Sequence, residues 1–170
     1  KEVQVQQPRA AVVPPPAVEK RVKVTPQPPV PPPSPKQPQN STAELFLRFP
    51  PEPTQPIREL GSEDAKWLHD HGALFLDARR TEAFEQGHIA GAHSLSVWEE
   101  GVADKVAQVQ AHTSDLSLPV VVYCAGGDCH DSHLLAEKLW LAGFRTLLTY
   151  TGGFPDWEAQ GRPVNKGLAP

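Results

Sequence analysis

Apolar residues in the first 56 positions stand scattered among prolines, apart from the run AELFLRF over residues 43–49. From Ile57 onward two regular patterns alternate. IREL (57–60) is a short candidate strand, ALFLDAR (73–79) a buried strand, PVVVYC (119–124) the most apolar strand and RTLLTYTGG (145–153) the last strand. HSLSV (93–97) reads as a short strand or extended loop. Between them SEDAKWLHDHG (62–72), EEGVADKVAQVQAH (99–112) and DSHLLAEKLWLAGF (131–144) carry apolar residues at helical spacing. TEAFEQGH (81–88) predicts a helical turn and FPDWEAQG (154–161) a short final helix. Ser62 is the expected N-cap of the first helix, with acids in its first turn and Gly72 at its end. This β/α alternation predicts an α/β fold: a mainly parallel sheet of about five strands with helices on both faces. Val120 to Tyr123 are four consecutive apolar residues, which suits the centre of the sheet.

Composition divides the chain at the same place. Sixteen of its 20 prolines precede residue 57. Proline fixes φ and lacks the amide donor, so PQPPVPPPSPKQPQ (26–39) suits neither helix nor sheet interior. The expectation is an extended polyproline linker over residues 1–56 and one domain over 57–170. PPVPPPSPK (28–36) also suits the aromatic groove of a protein partner. AELFLRF is expected either to dock on the domain or to meet a partner. Residues 1–56 hold seven basic and four acidic side chains, and the rest nine and sixteen. An acidic domain without clustered cations argues against nucleic acid. No run approaches the length of a membrane span. The long arm and the start at Lys1 instead of Met lead to the expectation of a membrane anchor upstream of Lys1. That would place the domain outside the cytoplasm of a bacterium; a cytoplasmic fusion fragment is the alternative.

The chain's two cysteines sit together in YCAGGDCHDS (123–132). Ligand crevices in parallel sheets lie at the carboxyl ends of the strands, where PVVVYC delivers Cys124. The residues after it must turn into a helix. Gly126 and Gly127 permit backbone conformations that aim successive amides inward, and the helix start adds free N–H groups and its dipole. The expectation is a nucleophilic Cys124 with a lowered pKa, cupped by Ala125, Gly126, Gly127, Asp128, Cys129 and His130 as the substrate-binding loop. An inert buried cysteine is the plainer reading of the same residue. Cys129 forms a disulfide with Cys124, resolves a persulfide, or merely lines the loop. A zinc site needs more ligands than two thiols, and His130 and His133 would have to complete it; no metal is expected.

Several stretches resemble the rhodanese family of single-domain sulfurtransferases. LFLDAR (74–79) is similar to its D-x-R segment, and EAFEQGHIAGAHSL (82–95) to its E-x-F/Y-x-x-G-H-I-x-G-A signature. LLTYTGGFPDWEAQGRPV (147–164) resembles its closing Y-x-G-G-x-x-x-W-x-x-x-G-x-P-V pattern. The resemblance implies that Cys124 takes a sulfane sulfur from a small donor, holds it as a persulfide, and passes it to cyanide, a thiol or a protein acceptor. It implies no metal or organic cofactor.

The loop departs from the family. The common form is Cys-x4-Arg-Ser; here Ser132 is the counterpart of the serine, the loop is two residues longer, and Asp131 stands in place of arginine. Losing a guanidinium removes a bidentate anion contact. Weak activity with thiosulfate is therefore expected, and Asp131 is expected to cap the helix. Arg79 and Arg80 are the nearest basic residues, with Arg79 expected to pair with an acid in support of the fold. His88 is expected to make a structural hydrogen bond and Asp77 to brace a loop. Trp157 and Phe154 are expected in the core, and Trp67, Trp98 and Trp140 in the core or half-buried. The same fold also supports a catalytically weak binding or regulatory module tethered by the arm. A thiol redox protein using both cysteines is a third reading. A phosphatase or arsenate reductase is disfavoured, since Asp131 has the wrong sign for an oxyanion.

Overall fold

The computed structural model describes residues 39–170. In chain order the elements are α1 (Gln39–Arg48), β1 (Ile57–Leu60), α2 (Ser62–Asp70), β2 (Leu74–Asp77), α3 (Thr81–Gln86), β3 (His88–Ile89), β4 (His93–Ser94), α4 (Val102–His112), β5 (Pro119–Tyr123), α5 (Asp131–Leu141), β6 (Thr146–Tyr150), α6 (Gly153–Ala159) and β7 (Val164–Asn165). Five strands form one sheet in the order β1-β6-β5-β2-β4, every neighbouring pair parallel. The expected α/β architecture is present, with β5 in the middle.

Side-chain alternation along β5 assigns the faces. Val121 and Tyr123 join a core with Leu45 of α1, Leu68 of α2, Phe84 of α3 and Trp157 of α6. Val120, Val122 and Cys124 join the opposite core with Val106 of α4 and Leu135, Ala136 and Leu139 of α5. Both faces are covered, so all five residues of β5 are buried. That burial is why the strand reads as a continuous apolar run rather than an alternating one.

Four features differ from the sequence reading. The packed body reaches back past residue 57, because α1 places Leu45 and Phe49 in the core at 5% and 9% exposure. AELFLRF therefore docks on the domain. Arg48 pairs with Asp64 at 2.5 Å and lies 4.6 Å over the Trp67 ring. Residues 1–38 of the expected linker lie outside the described residues. A second sheet pairs β3 with β7, antiparallel, through His88–Asn165 and Ile89–Val164; two-residue strands carry no periodicity to read. Ser62 is not the cap of α2, whose N-cap is Gly61; the Ser62 hydroxyl instead donates to Asp156 at 2.7 Å. Of the tryptophans expected in the core or half-buried, Trp98 and Trp140 are 57% and 44% exposed, at the outer end of that range or past it. Trp140 stands four residues after Ala136 on α5, at the edge of the face that packs Leu135, Ala136 and Leu139, so part of its ring meets solvent.

The supporting residues are built in as expected. His88 is buried, its Nδ1 lies 2.9 Å from the Phe84 carbonyl, and its ring stacks on Phe84. Trp157 is fully buried, and its indole N–H donates to the Pro163 carbonyl at 2.9 Å. The Tyr123 hydroxyl accepts from the Ile89 amide at 3.1 Å, tying β5 to the GHI segment, and burial pushes its pKa upward.

Helix α3 is capped from a distance. Its N-cap residue, Arg80, makes no side-chain cap. Glu99 does so instead, accepting from the Thr81 amide at 2.8 Å and hydroxyl at 2.6 Å, while Lys105 reaches its other oxygen at 2.9 Å. The Thr81 hydroxyl, and then Lys105 and the Thr81 amide, outweigh burial and hold the Glu99 carboxyl at about 2, against an ordinary 4.5. A depressed carboxylate stabilises the fold fully above the unfolded value and loses that contribution as pH falls through the folded value. Wild type is thus expected to lose stability relative to Glu99→Gln between pH 4.5 and about 2. Urea midpoints of the two proteins across that window test this, and parallel curves would clear Glu99 of any role.

Candidate active site

Strand β5 stops at Tyr123 and the next residue is Cys124, 2% exposed, facing α5. The loop then rises through Gly126 and Gly127, with φ of 76° and 58°, and enters α5 at Asp131. Gly126 has to be glycine for two reasons. Its φ is left-handed, and a Cβ there would run into the Gly152 carbonyl. The reciprocal holds at Gly153, with φ of 62°, where a Cβ would meet the Cys124 carbonyl and the Gly126 nitrogen. Gly126 thus meshes with Gly152 and Gly153, backbone against backbone. The Phe154 amide donates to the Cys124 carbonyl at 3.0 Å and fixes the cysteine to the turn after β6.

The Cys124 sulfur is bonded to that of Cys129, and the two Cα atoms are 6.4 Å apart. It also lies 3.3 Å from the Cys129 carbonyl and 3.6 Å from the Ser132 hydroxyl. Among the expected loop amides, that of Cys129 donates to the Gly126 carbonyl at 3.3 Å. In this cysteine-paired loop the sulfur's polar neighbours are therefore a carbonyl and a hydroxyl. The positive end of α5 is close, since Ser132 belongs to its first turn, ahead of the first bond from the Leu134 amide to the His130 carbonyl.

A recess of about 130 Å³ opens beside the sulfur. Of the expected loop residues, Cys124, Gly127, Cys129 and His130 line it, whereas Ala125, Gly126 and Asp128 do not. The remaining lining comes from Ser132, His133, Glu59, Tyr150 and Thr151. Glu59 and Tyr150 stand at the carboxyl ends of β1 and β6. The crevice rule that located Cys124 points to these neighbours as well, once the strand order is known. Ser132 and His133 carry the general signal of a helix first turn.

Asp131 is the first helical residue rather than the cap, and neither it nor His130 makes a side-chain cap bond. The chain enters α5 through His130 already in the helical region, which moves the helix start one residue earlier than the Asp-Ser pair suggests. Among the described residues, no lysine or arginine lines the recess. Arg79 is on the other face: its guanidinium lies 4.4 Å from the Phe154 ring, donates twice to Asp77, and donates to the Gly87 carbonyl at 2.7 Å. Asp77 also accepts from the Arg79 amide at 3.0 Å, bracing the turn as expected.

Tyr150 carries the recess wall into a second network. Its hydroxyl donates to Asp156, which also accepts from Ser62 and Gln160. Burial first, and then its bond to Asp156, push Tyr150 up to about 12; bonds from Tyr150 and Ser62 hold Asp156 below its ordinary value. Tyr150 therefore stays protonated at neutral pH and serves as a fixed donor.

Residues 62–160, more than half of the chain, match the family model of the rhodanese-like domain. The chain belongs to the rhodanese family. Its relatives include rhodanese-type sulfurtransferases. Thiosulfate sulfurtransferase GlpE of Pseudomonas aeruginosa is 30% identical over 103 residues, covering 61% of this chain and 86% of that protein. GlpE of Pseudomonas savastanoi is 32% identical over 114 residues, covering 67% and 89%. The rhodanese-like domain of an Anabaena protein shares the fold, with a TM-score of 0.53 and 24% identity over 67% of this chain and 81% of that one. So does a thiosulfate sulfurtransferase structure from Pseudomonas aeruginosa, with a TM-score of 0.55 and 24% identity over 78% of this chain and 23% of that one. The loop of this chain, residues 124–132, carries a second cysteine and neither lysine nor arginine.

Proposed function

We propose that this rhodanese domain is a sulfurtransferase that forms a persulfide on Cys124 and passes the sulfur to a thiol, cyanide or a protein acceptor. The observation that carries the reading is the placement of Cys124 at the carboxyl end of the central strand, against the first turn of α5 and on the wall of a recess. The helix terminus favours the thiolate, and the Ser132 hydroxyl is within reach to donate to it. Attack on a sulfane sulfur then replaces one difficult transfer by two easier ones. His130, Cys129 and Gly127 bound the space in which donor and acceptor meet.

The donor is one of low charge. With no lysine or arginine among the described residues around the recess and Glu59 on its rim, a thiosulfate dianion gains no charge-assisted contact from them. A monoanionic thiosulfonate or a polysulfide is expected to load Cys124 faster than thiosulfate, although the GlpE relatives bear the name of thiosulfate sulfurtransferases. The test is intact-mass measurement of the reduced protein after exposure to each donor. One added sulfur atom on wild type and none on Cys124→Ser is the expected result. A reduced, accessible Cys124 that gains no sulfur from any donor would abandon this reading. The cation-free recess then favours the second one, a catalytically weak binding module of the rhodanese fold.

A further inference from the structure

The paired cysteines assign a second role to this loop, resting on the persulfide reading above. We infer that Cys129 is a resolving thiol: it converts the Cys124 persulfide into a disulfide and releases the carried sulfur as hydrosulfide. The chain would thus reduce sulfane sulfur to sulfide by using its own second cysteine as acceptor.

Three observations carry this. The two sulfurs are bonded in the structure, and the Cα separation of 6.4 Å lies within the range of ordinary disulfides. The partner cysteine is delivered by the loop itself, through the Cys129 amide on the Gly126 carbonyl, while the meshed Gly126 and Gly153 anchor Cys124. Resolution therefore needs no movement of β5. Finally, both cysteines line the same recess, and Cys124 is buried while Cys129 is only partly buried. The hydrosulfide has a space to leave through, and an external reductant meets Cys129 first.

The steps balance as follows. The Cys124 thiolate attacks the sulfane sulfur of a donor, and the donor's remaining anion departs, leaving Cys124–S–SH. The Cys129 thiolate then attacks the Cys124 sulfur. A Cys124–Cys129 bond forms, the bond to the outer sulfur breaks, and that sulfur leaves with the electron pair as HS⁻. Two thiols are oxidised by two electrons while the sulfane sulfur is reduced to sulfide. An external dithiol closes the cycle: it attacks the Cys129 sulfur, expels the Cys124 thiolate, and ends as its own disulfide.

The experiment is a single turnover of the full chain. The protein is reduced with a phosphine, freed of reductant, and exposed without oxygen or added thiol to benzenethiosulfonate, whose leaving group is a sulfinate and contains no sulfide. Wild type is expected to yield one sulfinate and one sulfide per chain and to finish lighter by two hydrogens. Cys129→Ser is expected to yield the sulfinate, retain one added sulfur, and release sulfide only at background level. The inference is overturned if wild type keeps the added sulfur without sulfide, or if Cys129→Ser releases sulfide as wild type does. Absence of sulfinate from both proteins instead removes the nucleophile reading of Cys124, and the resolving role with it.

Discussion

Arg79→Ala is expected to destabilise the domain by about 3–5 kcal/mol, because it leaves a buried carboxylate without its counter-charge. Asp77 is fully buried at the end of β2, and Arg79 grips both of its oxygens, Nε at 3.0 Å on one and Nη2 at 2.6 Å on the other. Burial opposes the charge on Arg79, but the Asp77 carboxylate more than compensates, and the guanidinium is held above its ordinary value. The same nitrogen also satisfies the Gly87 carbonyl, and the guanidinium covers the Phe154 ring. Truncation thus strands one charge and one carbonyl together. Lysine keeps the charge but not the fork, so Arg79→Lys should fall between the two. The double variant Asp77→Asn, Arg79→Met should cost less than Arg79→Ala alone, since no unpaired charge remains. Urea unfolding at constant slope provides the comparison. An Arg79→Ala loss below about 1 kcal/mol would place the pair with exposed ion pairs and refute the brace.

Gly126→Ala is expected to cost at least about 3 kcal/mol and to abolish sulfur loading together with stability. Left-handed backbone alone costs an L-residue roughly 1–2 kcal/mol. The rest comes from the Gly152 carbonyl, a backbone atom on the turn between β6 and α6 that cannot step aside as a flexible side chain would. Any adjustment has to separate the cysteine loop from that turn, breaking the Phe154–Cys124 hydrogen bond and moving the sulfur off the first turn of α5. Gly161→Ala is the matched control: its φ of 64° is similar, but a Cβ there meets nothing within 4 Å. It should show the backbone cost of about 1–2 kcal/mol and load sulfur normally. Equal losses in the two variants would mean that the meshing contributes nothing.

Local pattern carried much of this structure. Continuous apolar runs identified β2, β5 and β6, and helical spacing identified α2, α4 and α5, because each element must bury one face or both. The cysteine was legible from its position after the most apolar strand. The expectation failed where the decisive partner was distant. Ser62 has the composition of a cap, yet Asp156 takes its hydroxyl from 94 residues away. Glu99 caps α3 from across a loop, which no cap rule along the chain anticipates. Trp98 and Trp140 are large and apolar, but residue type does not say which side of a helix or loop faces the sheet.

The sequence alone determined the α/β architecture, the central strand and the candidate nucleophile, since these follow from periodicity and from one residue's place in it. Tertiary structure decided that α1 belongs to the packed body, that Arg79 lies on the face away from the sulfur, and that Glu59, Tyr150 and Thr151 wall the recess. It also brought the sulfur of Cys129 onto that of Cys124. The reason is the same in each case: which strand ends lie side by side, and which backbones are close enough to mesh, depends on sheet order and loop path rather than on neighbours in the chain.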